Sequence, residues 1–260
     1  NKYDEPEQYD FQLLPYDYFT RLLYRYRLSS VPVLTPLITS FAGFWRKTDK
    51  WNGNVGQMEQ ALREADAILD ASGYTLGSGW GKGGGRLLLQ TIRIARRYGK
   101  KIILMPQSFG PFDWGEDDDE QFLAEVKHEL SYCTKIYARE IEGYECLKAL
   151  GLQNVELSAD MVIRENAFPQ ACVIHPGYQQ PQINYPESGA VGFIINENVF
   201  RIGNPEAVLD LYVKLLDKLL NDGEKVYILN TSTADFHLVE KVLAKVKRRD
   251  RVGVISGEYS

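Results

Sequence analysis

Between residues 61 and 163 the chain alternates two hydrophobic patterns. Ala67-Ile68-Leu69-Asp70-Ala71, Lys101-Ile102-Ile103-Leu104-Met105, Ile136-Tyr137-Ala138 and Val155-Glu156-Leu157 are short apolar runs. Runs of that length next to turn formers predict buried strands, and Pro106 is expected to stop the second one. The stretches between them carry helical spacing. Leu88, Ile92 and Ala95 share a face over residues 87–98, and Phe122, Val126 and Leu130 share one over 119–131. Residues 140–150 read as a further helix, with Gly151 as its C-terminal cap.

Periodicity lapses over residues 164–189, which carry Pro169, Pro176, Pro181 and Pro186 and read as a linker. It then resumes. Val191-Gly192-Phe193-Ile194-Ile195, 226–229 and 252–255 read as strands, and 205–221 and 235–246 as helices. The first of these helices starts favourably at Pro205. Its expected apolar stripe is Val208, Leu211, Tyr212, Leu215, Leu216 and Leu219. Strand–helix–strand repetition calls for parallel sheets covered by helices. The expected architecture is α/β, with two Rossmann-like lobes facing each other: residues 1–163, a linker over 164–189, and residues 190–260. With three strands the second lobe reads as incomplete, and the chain as part of a longer protein.

Composition narrows the function. The chain has 260 residues, 44% of them hydrophobic, enough for a core in each of two domains. Lys and Arg number 30 against 35 Asp and Glu, a formal net charge of −5. Nucleic-acid binding draws its affinity from many cationic phosphate contacts, so it is not expected here; one local cationic pocket is compatible with this balance. Cys133, Cys146 and Cys172 form no CxxC pair and fit small core residues in a reducing compartment. The longest uncharged run, 28–45, is interrupted by Pro32 and Pro36 and reads as core and loop rather than a membrane helix. No signal-peptide pattern opens the chain.

In parallel α/β sheets ligands bind beyond the carboxyl ends of the strands. Four loops should open there. The first holds Ser72-Gly73-Tyr74 and then the glycine-rich run from Gly77 to Arg86. That run could cradle an anion on backbone N–H groups, with Lys82 and Arg86 adding charge; an ordinary surface loop is as good a reading. The second holds Gln107-Ser108-Phe109-Gly110-Pro111, whose hydroxyl and amide would point at the ligand edge, or which is simply a turn. Arg139 heads the third loop. A guanidinium there suits a bidentate grip on a carboxylate or phosphate; the competing reading is a salt bridge to Glu140, Glu142 or another acid. Asp160, in the fourth, could orient a sugar hydroxyl, act as general base, or cap a helix.

Other charged clusters have plainer explanations. The acidic run 116–120 fits a helix N-terminus through the helix dipole, so no metal is expected. Lys241, Lys245, Lys247, Arg248 and Arg249 sit where cations favour a helix end. His128, His175 and His237 share no ligand spacing and identify no catalytic histidine.

Taken in order, these loops resemble the polysaccharide pyruvyl transferase family. The resemblance rests on residues 65–73, on Pro106 to Phe112 with its Gln-Ser-x-Gly-Pro turn, and on Ala138-Arg139-Glu140. It continues through the Leu-Gly segment at 147–155 and Ser158-Ala159-Asp160. The family's opening Gly-x-x-Asn-x-Gly-Asp loop has only a superficial echo at Gly53-Asn54-Val55-Gly56, and Tyr74 replaces a second glycine after Gly73.

The resemblance implies a GT-B-like pair of lobes. The donor would be phosphoenolpyruvate, with no cofactor. The acceptor would be a saccharide or lipid-linked saccharide of a cell-surface or exopolysaccharide, on which a pyruvate ketal forms. It implies Arg139 on the donor's carboxylate or phosphate, Gly73, Ser108 and Gly110 lining the donor site, and Asp160 nearby. Lys82, from the possible anion cradle, is expected as a further substrate-binding residue. The family's Arg-x-His motif, and the general acid with it, would lie beyond Ser260. The expected location is cytoplasmic, with peripheral contact at the inner membrane surface. Two other functions share the architecture: a GT-B glycosyltransferase using a nucleotide sugar, and a non-catalytic glycan- or anion-binding protein.

Overall fold

The computed structural model describes residues 9–14, 16, 18–28, 55–164, 177, 186–230 and 235–256. It divides into two compact units at Pro176/Gly177. That boundary lies within the 164–189 interval read as a linker, most of which is outside the described residues, as are most of 28–45, Cys172, His175, Gly53 and Asn54.

In the first unit, helices α1 (Tyr18–Arg25) and α2 (Val55–Glu64) precede a four-stranded parallel sheet, ordered β1 (Ala67–Asp70), β2 (Lys101–Gln107), β3 (Lys135–Ala138) and β4 (Val155–Leu157). The crossovers are α3 (Gly81–Arg97), α4 (Asp119–Leu130) and α5 (Ile141–Ala149), and a short helix α6 (Met161–Arg164) follows β4. Each crossover steps one strand in the same direction, so right-handed connections place all three helices on one sheet face. The core reflects this. Leu88, Leu89 and Ile92 of α3, and Phe122, Val126 and Leu130 of α4, pack with Ile102, Leu104 and Ile136 of the sheet. On β1 the side chain of Leu69, next to the fully buried Ile102/Leu104 row but on the opposite face, is 61% exposed.

The second unit repeats the arrangement on a smaller scale. Strands β5 (Val191–Phe193), β6 (Val226–Asn230) and β7 (Val252–Ser256) pair in parallel. Helix α7 (Glu197–Ile202) and helix α8 (Pro205–Asn221) connect β5 to β6, and α9 (Phe236–Leu243) connects β6 to β7. Asn204 caps α8, its side-chain oxygen accepting from the N–H groups of Glu206 and Ala207.

Three expectations need correction. The second half of the glycine-rich run is not a loop: α3 begins at Gly81 and takes in Lys82, Gly83, Gly84 and Gly85. Close packing explains glycine there. A Cβ on Gly84 would stand 2.8 Å from the Thr75 carbonyl oxygen, and one on Gly85 would stand 2.8 Å from Leu76 Cδ1 and 3.1 Å from Phe122 Cζ. Secondly, β2 runs through Pro106 to Gln107. Its pairing with β3 shifts between Leu104 and Gln107, so the proline sits at an irregularity, where a missing N–H removes no ladder bond. Thirdly, the buried face of α8 is rotated from the expected stripe. Leu216 and Leu220 are buried, with Leu209, Tyr212, Val213 and Leu219 packed beside them, while Leu211 and Leu215 are exposed.

Candidate functional site

The loops after β1 and β2 are fastened to each other. Leu76 and Phe109 form a short parallel bridge, Gly110 N–H donates to Leu76 O (2.9 Å), and Ser78 N–H donates to Pro111 O (2.9 Å). Gly77 permits this approach, since its Cβ would fall 2.6 Å from Gly110 O. Helix α5 presses from the other side. A Cβ on Gly110 would meet Cys146 Sγ at 2.8 Å, and one on Gly143 would meet the Phe109 backbone at 3.1 Å. Gly110 also has φ +72°, a left-handed conformation costly for other residues. Its position is therefore explained by packing and turn geometry.

This clamped turn holds Ser108 beside Arg139. Arg139 Nε donates to Ser108 Oγ (2.9 Å) and to Glu140 Oε1 (2.8 Å), and Ser108 Oγ donates to the same Glu140 oxygen (2.8 Å). Arg139 Nη1 donates to Asp160 Oδ2 (3.0 Å). The backbone joins in, with Arg139 N–H donating to Gln107 O (3.1 Å) and Ser108 N–H to Gly73 O (2.9 Å). Four of the six expected residues thus converge through bonds: Gly73, Ser108, Arg139 and Asp160. Arg139 makes the salt bridges expected of it, to Glu140 and to Asp160, and Asp160 acts as a cap, its Oδ1 accepting from Val162 N–H (2.9 Å) at the start of α6. Arg139 is 26% exposed, and its Nη2 has no partner among the described residues. The bond to Glu140, opposed by partial burial and helped by Asp160, raises its pKa and keeps it charged.

Lys82 does not join this cluster. Its ammonium is nearly buried among Asp118, Asp119 and Glu116, at 3.2 Å from the last. Burial opposes its charge, but the hydrogen bonds it donates to Asp118, Asp119 and Glu116 raise its pKa overall. The acidic run at the start of α4 is thereby accounted for twice, by the helix dipole and by a buried counter-ion.

The structure adds Asp70, which the motif reading did not single out, and gives Gln107 and Glu140 definite partners. Asp70, the last residue of β1, accepts from Ser72 N–H (3.1 Å) and Ser72 Oγ through Oδ1. The fully buried Gln107 lies against this pair, its Nε2 3.5 Å from Asp70 Oδ1 and its Oε1 3.5 Å from Ser72 Oγ. Glu140 joins through Arg139. The rule that ligands lie past strand ends could have found Asp70, which ends its strand as Gln107 and Ala138 end theirs. Three carboxylates therefore stand along this edge with one guanidinium. Such an edge is equipped to orient hydroxyls and move protons, while countercharge for a polyanion must come mostly from residues outside it.

No group of His, Cys, Asp and Glu side chains suited to a metal occurs among the described residues, and no helix among them is long and apolar enough to cross a membrane. No curated protein and no solved structure matches the chain. The sequence model of one family, polysaccharide pyruvyl transferase, does match, over residues 4–253, and so takes in both units and every strand-end residue of the cluster. The parallel sheets are compatible with this near-complete match, and on the match the chain belongs to the polysaccharide pyruvyl transferase family.

Proposed function

We propose that the chain transfers a pyruvyl group from phosphoenolpyruvate to two hydroxyls of one sugar, forming a cyclic ketal on a polysaccharide or its lipid-linked precursor. A GT-B-like pairing of the two units would suit this reaction. The observation that carries the reading is Arg139, held at the strand ends by Ser108, Glu140 and Asp160 with its Nη2 edge open.

The chemistry requires a proton at C3 of phosphoenolpyruvate, which turns the methylene into a methyl group and leaves C2 electrophilic. One sugar hydroxyl adds to C2 and gives up its proton. The C2–O bond to phosphate then breaks, and the second hydroxyl adds and releases its proton. One proton enters, two leave, and phosphate departs with the bonding pair. Arg139 would hold an oxygen of the donor carboxylate through Nη2. Asp160 and Glu140 would accept protons from the hydroxyls, with Ser108 holding Glu140 beside the guanidinium.

Calorimetry tests the reading. Phosphoenolpyruvate is expected to bind, and Arg139→Ala to weaken it by about 10- to 100-fold, the range for losing a charge-assisted hydrogen bond. A coupled assay should show phosphate release that depends on a glycoside acceptor. Binding of a nucleoside diphosphate sugar in preference to phosphoenolpyruvate would overturn the assignment.

A further inference from the structure

Two aromatic side chains stand exposed in the loop that begins at the Asp70–Ser72 pair. Tyr74 is 47% exposed and Trp80 48% exposed, and their ring centroids lie 4.9 Å apart at an interplanar angle of 40°. Isolated exposed hydrophobic residues are ordinary on a protein surface. These two are packed on each other, and they occupy the edge where parallel sheets bind ligands.

Their backbone is fixed. Leu76, between them, is buried, bridges to Phe109 and accepts from Gly110 N–H. Gly84 lets the first turn of α3 close onto Thr75 beneath Trp80. At the other end of the loop, Gly73 accepts from Ser108, whose hydroxyl touches Arg139. Tyr74 therefore directly follows, in the chain, a residue bonded to the cluster assigned to the reaction. In the same loop Asp70 uses Oδ1 for its contacts with Ser72 and Gln107, and Oδ2 has no partner among the described residues.

A pyranose ring presents an apolar face of C–H groups and a rim of hydroxyls. Recognition needs an aromatic surface for the first and a fixed acceptor for the second. We propose that Tyr74 and Trp80 form the platform on which a pyranose ring of the acceptor saccharide stacks, with Asp70 Oδ2 accepting from one of its hydroxyls. The proposal rests on the pyruvyl-transfer reading for the identity of the acceptor, but the platform can be tested without the reaction.

The full chain and its Trp80→Ala, Tyr74→Ala and Trp80→Phe variants are titrated with methyl β-galactoside, methyl β-glucoside and N-acetylmannosamine, using saturation-transfer NMR. Phosphoenolpyruvate is titrated separately by calorimetry, and melting temperatures are compared. At least one glycoside should bind with saturation on the C–H protons of one ring face. Its Kd should rise about tenfold in Trp80→Ala and Tyr74→Ala, and stay near the parent value in Trp80→Phe. Phosphoenolpyruvate affinity and melting temperature should not change. If no glycoside binds, if the alanine variants bind equally well, if Trp80→Phe loses as much as Trp80→Ala, or if a parallel calorimetric titration with uridine diphosphate shows that to be the ligand these variants lose, the platform is overturned. Glycoside binding that depends on Trp80, without any phosphoenolpyruvate binding, supports the platform and overturns only the donor assignment.

Discussion

At the scale of single residues, the neighbours of a side chain decide what it does. Arg139 and Lys82 were both candidate anion ligands. Arg139 keeps an open edge in a partly exposed cluster, whereas Lys82 is enclosed by three carboxylates. That enclosure sets a pH dependence. Hydrogen bonds from Lys82 hold the pKa values of Asp118 and Asp119 below the usual carboxylate value. Their contribution to stability is complete above the unfolded-state value of about 3.9 and is lost as pH falls through the lower folded values. The Lys82 value is raised, so its contribution is complete below the unfolded value of about 10.4 and is lost as pH rises through the folded one. Lys82→Met is therefore expected to melt below the parent protein at neutral pH. The gap should narrow below about pH 4, where the carboxylates protonate, in melting curves taken across pH. Gly110→Ala combines φ +72° with a Cβ placed 2.8 Å from Cys146 Sγ. A loss of about 1–3 kcal/mol in denaturant unfolding is expected, and with it weaker phosphoenolpyruvate binding because the turn positions Ser108.

At the scale of elements, α3 shows how packing overrides local preference. Four of its first five residues are glycine, the poorest helix former after proline, yet the helix starts there. The close contacts of Gly84 and Gly85 supply the reason. Gly83 has no such contact, since a Cβ there would meet nothing within 4 Å. Gly83→Ala should therefore stabilise the protein by roughly 0.5–1 kcal/mol, the helix-propensity difference. Gly85→Ala should destabilise it, because the new methyl meets Leu76 and Phe122. Denaturant titration of the two variants gives opposite signs if this account holds. Helix α8 teaches a related lesson: its length and caps follow from local sequence, but apolar residues span more of its circumference than one sheet can cover, so Leu211 and Leu215 remain exposed.

At the scale of the whole molecule, each unit has its own core, and among the described residues the two share none. Leu104 is fully buried in the first and Ile228 in the second. Truncating either to alanine should cost about 2–5 kcal/mol. In scanning calorimetry, Leu104→Ala is expected to lower the transition of the first unit and Ile228→Ala that of the second. A single transition shifted equally by both would show that the units unfold together.

Sequence alone determined the order and type of the main elements, because strand and helix periods depend on spacing within one segment. It also pointed to the strand-end loops and to Gly73, Ser108, Arg139 and Asp160, since each follows an apolar run ending at the same sheet edge. Tertiary structure decided what spacing cannot encode. It closed the glycine run into a helix, carried β2 through Pro106, rotated the buried face of α8 and enclosed Lys82 in acids from the start of α4. It also set Gln107 against Asp70 and Ser72. Each of these depends on contacts between residues distant in the chain, whose energies no local pattern contains.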